Sequence, residues 1–465
     1  MSTKLSILLL LTAATCVTPL YSQQVYAQQA AAPAGQQNVG RSNRSPMGPV
    51  QTERFRTTYV RLGSNNDDGL LYEPVNPGTN ARIAIVYEHP GDNNFNVEVG
   101  PEMAARGYRV LMVNFHGNRE SHASYAPGIS NAIKYLRTLP GVQKVMVSGH
   151  SGGGHLIAFY ANVAENGPAG CQGPQMLSPC KSKSVTGLAR PDGVVLLDPT
   201  LGAFHATSAI DPSYDGKTRQ TALDMFAPAN GYDAKAGTAN YSADFAKRFH
   251  AGQSARNMQL IDNAVARLKL IEQGKGQFTD NEPLVIPAAS DGGQGIRLYH
   301  ADLKFVSHTK KPHMLLKADG SQPAVVVHSV RPATAARVQR TVGSFGPMSI
   351  NTTVRDFLAN FALRTTQDFA IKEDDIVGVD WKSSMMSSPG AAEGITVPTL
   401  VLTMSCHYLV VPGEIIYDHL ASKDKTYASV EGAVHGFTPC KPEYGDTEKR
   451  TFDFVDSWLA KAGRF

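Results

Sequence analysis

The stretch Lys144-Val-Met-Val-Ser-Gly-His-Ser-Gly-Gly-Gly154 decides how this chain is read. Its first half is an apolar run of strand type that stops at Gly149. From Ser151 onward Leu156, Ile157, Phe159 and Tyr160 recur at helical spacing. A strand therefore enters Gly149-His-Ser-Gly-Gly153 and a helix leaves it. The pattern G-x-S-x-G is weak alone, because 42 of the 465 residues are glycine. Between a strand and a helix it is specific. The turn holds the serine hydroxyl exposed above the sheet, and glycines let strand and helix approach more closely than side chains allow. A glycine-rich ligand loop at a helix start is the plainer alternative. Ser151 is the expected nucleophile.

Outward from this turn the chain alternates strand and helix signals, the sign of an α/β protein with a mainly parallel sheet. Ala81-Arg-Ile-Ala-Ile-Val-Tyr-Glu88 and Tyr108-Arg-Val-Leu-Met-Val-Asn114 read as strands, with a helix between them ending near Gly107. Ile129, Ala132, Ile133 and Leu136 mark the helix that follows. Gly193-Val-Val-Leu-Leu197 is wholly apolar, as strands buried on both faces are. The alternation then lapses over 203–394. That span holds a helical pattern from Ala255 to Ile271, another from Thr353 to Leu363, and a strand-like pair, His313 to Lys317 with Ala324 to His328. Strand, helix and strand return at Pro398–Thr403, Glu414–Leu420 and Thr426–Val430, and Lys449 to Ala460 closes the chain as a helix. The expected layout is a core from 51–202 and 395–465, interrupted by a cap or lid at 203–394.

His435, in Val430-Glu-Gly-Ala-Val-His-Gly-Phe-Thr-Pro-Cys440, follows the last strand and precedes the last helix. An imidazole there can take the serine proton and return it to the leaving group. With the elbow, Arg106 to Asn114 before it and Val397 to Leu402 near the end, the chain resembles the α/β-hydrolase superfamily. That resemblance implies a mostly parallel eight-stranded sheet flanked by helices, and hydrolysis of an ester, amide or related bond. It does not imply a substrate.

The resemblance also places an acidic residue after the strand Pro398–Thr403. Here that loop reads Met404-Ser-Cys-His-Tyr-Leu-Val-Val-Pro412, with His407 where the carboxylate is expected. Two acids remain open. Asp198 ends the earlier core strand, a position some superfamily members use, and is preferred; Glu414 opens the helix after Pro412. A turn former before Pro199 and a carboxylate at a helix start are their respective plain readings. For the oxyanion hole, the Gly152 amide is one expected donor. Gly91 or Asp92 is the other, since Pro90 carries no N–H.

Acidic and basic residues nearly balance, with a formal charge of +4, so nucleic acid is not an expected partner. Residues 1–27 read as a signal peptide: Lys4, the apolar run Leu5 to Leu11, and small-residue signals ending at Ala27. A retained anchor is the alternative, but Thr12, Thr15 and Pro19 break the run too early for a comfortable span. Residues 28–50 read as a linker. Export to the periplasm or the exterior would leave Cys171, Cys180, Cys406 and Cys440 to pair as Cys171–Cys180 and Cys406–Cys440. His300, Asp302, His308 and His313 cluster in sequence without a metal-ligand spacing, so no metal and no other cofactor is expected. The expectation is an exported serine hydrolase acting on carboxylic esters. Amidase, peptidase or acyl-transfer chemistry on the same residues is the near alternative, and a non-catalytic binding protein of this fold the distant one.

Overall fold

A computed structural model describes residues 51–63, 67–90, 93–116, 121–214, 217–290, 296–333 and 349–465. The expected signal peptide and linker lie outside these residues. Among these residues ten strands form the main sheet: β1 (Phe55–Arg61), β2 (Asp68–Pro74), β3 (Ile83–Tyr87), β4 (Arg109–Asn114), β5 (Lys144–His150), β6 (Gly193–Leu197), β7 (His308–Leu316), β8 (Ala324–His328), β9 (Thr399–Met404) and β10 (Lys425–Val430). Their spatial order is β1-β2-β4-β3-β5-β6-β9-β10-β7-β8. From β4 across to β7 all neighbours run parallel, and antiparallel strands cap both edges.

Successive side chains on a strand face opposite ways, and the central strands use both directions. Val145 and Val147 of β5, with Ala84 and Val86 of β3, join one apolar cluster. Ile129 and Ile133 of α2 (Ala126–Thr138) and Leu156 and Phe159 of α3 (Gly152–Asn166) complete that face. Met146, Ile83 and Ile85 point into a second cluster under α1 (Val99–Ala105) and α6 (Thr447–Leu459), with Met103, Phe452 and Trp458. The wholly apolar strands seen in the sequence follow from this burial on both faces.

The expected eight strands are corrected to ten. The hairpin of the 203–394 segment does not stay within a cap: Met314, Leu315 and Leu316 of β7 pair in parallel with Ala428, Ser429 and Val430 of β10. Alternation announces a strand, but its partner is fixed by contacts far along the chain, which a local pattern does not contain. Among the described residues, the rest of the segment carries one long helix, several short helical turns and three two-stranded sheets. Its long helix α4 (Ala243–Glu272) starts earlier than expected because the Ser242 hydroxyl accepts the Phe245 N–H at 3.1 Å. Ile261 and Ala264 of α4 pack on Ile286, Ile350 and Phe357 in a third cluster. The helix expected from Thr353 to Leu363 is one short turn, Val354–Asp356, running into a π turn, Phe357–Phe361. The helix expected from Glu414 begins at Val410 instead, as α5 (Val410–His419), with Pro412 in its first turn, where a missing N–H costs nothing.

Candidate active site

Ser151 sits between β5 and α3 at φ 55° and ψ −120°, a left-handed backbone that a side-chain-bearing residue rarely adopts. Its carbonyl accepts the N–H groups of Gly154 and Thr200, each at 3.1 Å, and its own N–H reaches Leu197 O at 3.1 Å. Long-range bonds thus hold the strained turn. The glycines are required by space. A Cβ on Gly149 would stand 2.2 Å from Gly153 O, and one on Gly153 2.2 Å from Glu88 O. Taken with the mostly parallel, doubly covered sheet, this strand–turn–helix elbow settles the architecture. The chain has the α/β-hydrolase fold.

No protein-family model and no curated protein matches the chain. Among similar solved structures is a hypothetical protein from Pseudomonas aeruginosa, at 16% identity over 88% of this chain and 94% of that one, with a TM-score of 0.39. Est1E from Butyrivibrio proteoclasticus is 10% identical over 87% of this chain and 97% of its own, at 0.36. Carboxyl esterase 2 from the fungus Tuber melanosporum is 12% identical over 90% and 88%, at 0.37. At such low scores none of these likenesses bears on the chemistry, and the fold rests on the sheet and the elbow.

Asp198 lies immediately beyond β6, fully buried, at φ 41°. Its Oδ1 accepts the Met404 N–H at 3.0 Å, and its Oδ2 meets His435 Nδ1 at 2.6 Å. His435 stands in the loop between β10 and α6. That loop is tied down at three points. The Cys406–Cys440 pair joins it to the end of β9 with Cα atoms 6.3 Å apart, Val434 N–H bonds Thr438 O at 2.8 Å, and His150 Nε2 donates to the His435 carbonyl at 2.8 Å. Cys171 and Cys180 also pair, with Cα atoms 5.6 Å apart. Both cysteine pairings are those expected.

Glu414, the other acid considered, is directed elsewhere. Its buried carboxylate accepts the N–H groups of Lys310 and Lys311 at 2.6 and 2.9 Å and meets His313 Nε2 at 2.8 Å. It fastens α5 to β7, the added strand, and among the described residues it makes no bond to His435. Of the two acids, only Asp198 meets the histidine.

The sequence reading gave no role to His407. The structure brings its Nδ1 to the same Asp198 oxygen, at 2.8 Å, with its ring 4.5 Å from that of His435. Its only signal in the sequence was its place, where an acid was expected. Burial alone would raise the Asp198 carboxyl. The charges and hydrogen bonds of the two imidazoles overcome this and hold it well below the usual carboxylate range. An ionised carboxylate only accepts, so both histidines present Nδ1–H to it and keep Nε2 for the other side. The donor atoms of Asp198, His407 and His435 lie within 4.8 Å of one another, near enough to hold a metal ion.

Ser151, Gly152, His407 and His435 line one cavity of about 330 Å³. No hydrogen bond joins the Ser151 hydroxyl to His435 among the described residues. In resting sites this bond is often long and tightens when substrate arrives. As the first residue of α3, Gly152 has an N–H with no partner inside the helix. Gly91 and Asp92 lie outside the described residues. The preceding His89 does reach the elbow: a methyl placed on Gly152 would be 3.4 Å from its Nε2. Three of the four residues set aside as a metal set in the insertion take separate partners. His308 stacks on His328, His313 pairs with Glu414, and Asp302 accepts the Tyr241 N–H at 2.9 Å. No helix among the described residues is long and apolar enough to cross a membrane.

Proposed function

We propose that this protein is a serine hydrolase that cleaves carboxylic esters, with Ser151 as nucleophile, His435 as base and Asp198 as the acid that orients it. The observation that carries the reading is the 2.6 Å contact of Asp198 with His435 Nδ1, beside a serine held in a left-handed elbow. Asp198 fixes the tautomer in which His435 Nε2 is free to take the Ser151 proton. The hydroxyl oxygen then attacks the ester carbonyl, and the negative charge that develops falls to the Gly152 N–H and a donor of the Gly91-Asp92 loop. His435 returns the proton to the leaving alcohol. Water, deprotonated by the same imidazole, releases the acid from the acyl-enzyme.

Part of the 203–394 segment is assigned as a cap over this site, since Ala206, Asn360 and Phe361 line the cavity beside Ser151. The small cavity fits short acyl groups. Export, with removal of 1–27, agrees with two paired cysteine couples, which persist in oxidising compartments. The test is labelling of the purified protein with a fluorophosphonate. Wild type is labelled and Ser151→Ala is not. A folded wild type that resists the probe would overturn the reading in favour of a binding protein.

A further inference from the structure

His407 is one of the cavity groups that this chemistry leaves unused. Its Nδ1–H is committed to Asp198, so the nitrogen left over is a lone pair. Among the described residues nothing hydrogen-bonds that Nε2, and the side chain keeps 21% of its surface exposed where it lines the cavity. The ring is fixed in place. It lies between the rings of His435 and Tyr408, with centroids 4.5 and 4.4 Å away, while its carbonyl accepts the Ser329 hydroxyl at 2.7 Å. A donor to Asp198 needed only for structure would not have to line the cavity beside Ser151. The cavity therefore holds two fixed acceptors side by side, one for the serine proton and one without a proton to take.

The surroundings say which donor fits. Behind His407, Arg331 donates to Ser329 Oγ at 2.9 Å, and its remaining bonds go to the carbonyls of Val306, Tyr299 and Phe305. A second guanidinium, that of the buried Arg297, donates to the carbonyl of His205, another cavity residue, at 2.6 Å. Burial, together with these charges, keeps the His205 and His407 imidazoles below their ordinary pKa, although Asp198 pulls His407 the other way. An ammonium group would meet two cations through the wall. A carboxylate offers no hydrogen to an unprotonated imidazole. A neutral hydroxyl meets neither obstacle.

Building on the serine-hydrolase reading, we propose that the preferred substrates are hydroxylated esters, whose hydroxyl, a few bonds from the scissile carbonyl, donates to His407 Nε2. His407 is then a specificity residue as well as a second donor to Asp198.

The test compares kcat/KM for methyl 3-hydroxybutyrate and methyl butyrate in wild type, His407→Phe and His407→Gln, with fluorophosphonate labelling run on each. Because His407 shares Asp198 with His435, each variant alters the general rate. The ratio between two substrates on one enzyme cancels that effect. One recovered hydrogen bond corresponds to a preference of about tenfold for the hydroxy ester in wild type. Phe abolishes the preference, and Gln, whose amide oxygen is an acceptor, keeps part of it. A labelled wild type with no preference, or an equal preference in wild type and either variant, would overturn the assignment and leave the hydrolase reading standing. An unlabelled wild type would remove both.

Discussion

Replacing Asp198 by Asn changes one atom type at the point where three donors meet. In the wild type Oδ1 takes the Met404 N–H at 3.0 Å, and Oδ2 takes both imidazole Nδ1–H groups, at 2.6 and 2.8 Å. An amide cannot serve all three. If its oxygen faces Met404, its NH₂ faces both imidazoles and forces them into the Nε2–H tautomer, in which His435 cannot accept the serine proton. If its oxygen faces the imidazoles, its NH₂ opposes the Met404 N–H in a buried place, where an unmade bond costs about 1–3 kcal/mol. The first arrangement loses less, so the wrong tautomer prevails. The expected fall in kcat is about 10⁴-fold, as for other triads whose carboxylate becomes an amide. Hydrolysis of a short-chain ester and the rate of fluorophosphonate labelling measure it, with circular dichroism to confirm the fold. Glu414→Gln is the control. It disturbs a buried contact between α5 and β7 and lowers the melting temperature, yet keeps the catalytic rate. Full activity in Asp198→Asn, or loss of activity only in Glu414→Gln, would refute the assignment of the acid.

Other outcomes follow from the same contacts. Gly153→Ala puts a Cβ 2.2 Å from Glu88 O, a backbone atom with little room to yield. Such overpacking costs about 1–3 kcal/mol, and unchanged melting and labelling would contradict the elbow's geometry. Stability should decline on acidification well before ordinary carboxylates titrate. Burial holds His122 well below 6.5, His155 at about 3 and His250 at about 4, so below 6.5 the unfolded chain binds protons that the folded chain does not. Each histidine then removes up to about 1.4 kcal/mol per pH unit until its folded pKa is reached. Asp198 adds its own loss only below its ordinary value of 3.8. Urea titrations at pH 7, 6 and 5 read this directly, and a midpoint that stays flat would count against it. Cys406→Ser opens a loop of 34 residues, which the chain-entropy relation equates with about 4 kcal/mol. A melting point equal to wild type under non-reducing conditions would show that the bridge does not form.

Much of the fold was legible because its signals are local. The run Val145–Ser148, Gly149 and the helical spacing after Ser151 lie within a few residues of one another, and sterics alone link them to a strand, a tight turn and a helix. The same holds for the apolar strands Ile83–Tyr87 and Gly193–Leu197, and for the placing of His435 before the last helix. Element ends were less legible: α4 and α5 both start before the residues expected, at a cap and at a proline that their apolar spacing does not announce.

By itself, then, the sequence determined an alternating α/β chain with an elbow serine, a histidine downstream of it and two cysteine couples. The tertiary structure decided everything that depends on distant partners. It separated Asp198 from Glu414, which look equally acidic in sequence but meet His435 and His313 respectively. It carried β7 and β8 out of the insertion and onto the main sheet. It also brought His407 across 209 residues to Asp198, which already accepts His435 from 237 residues away. Periodicity and turn chemistry report what neighbours along the chain can do. Which oxygen two distant imidazoles share is settled only when burial of the sheet's two faces closes the chain around them.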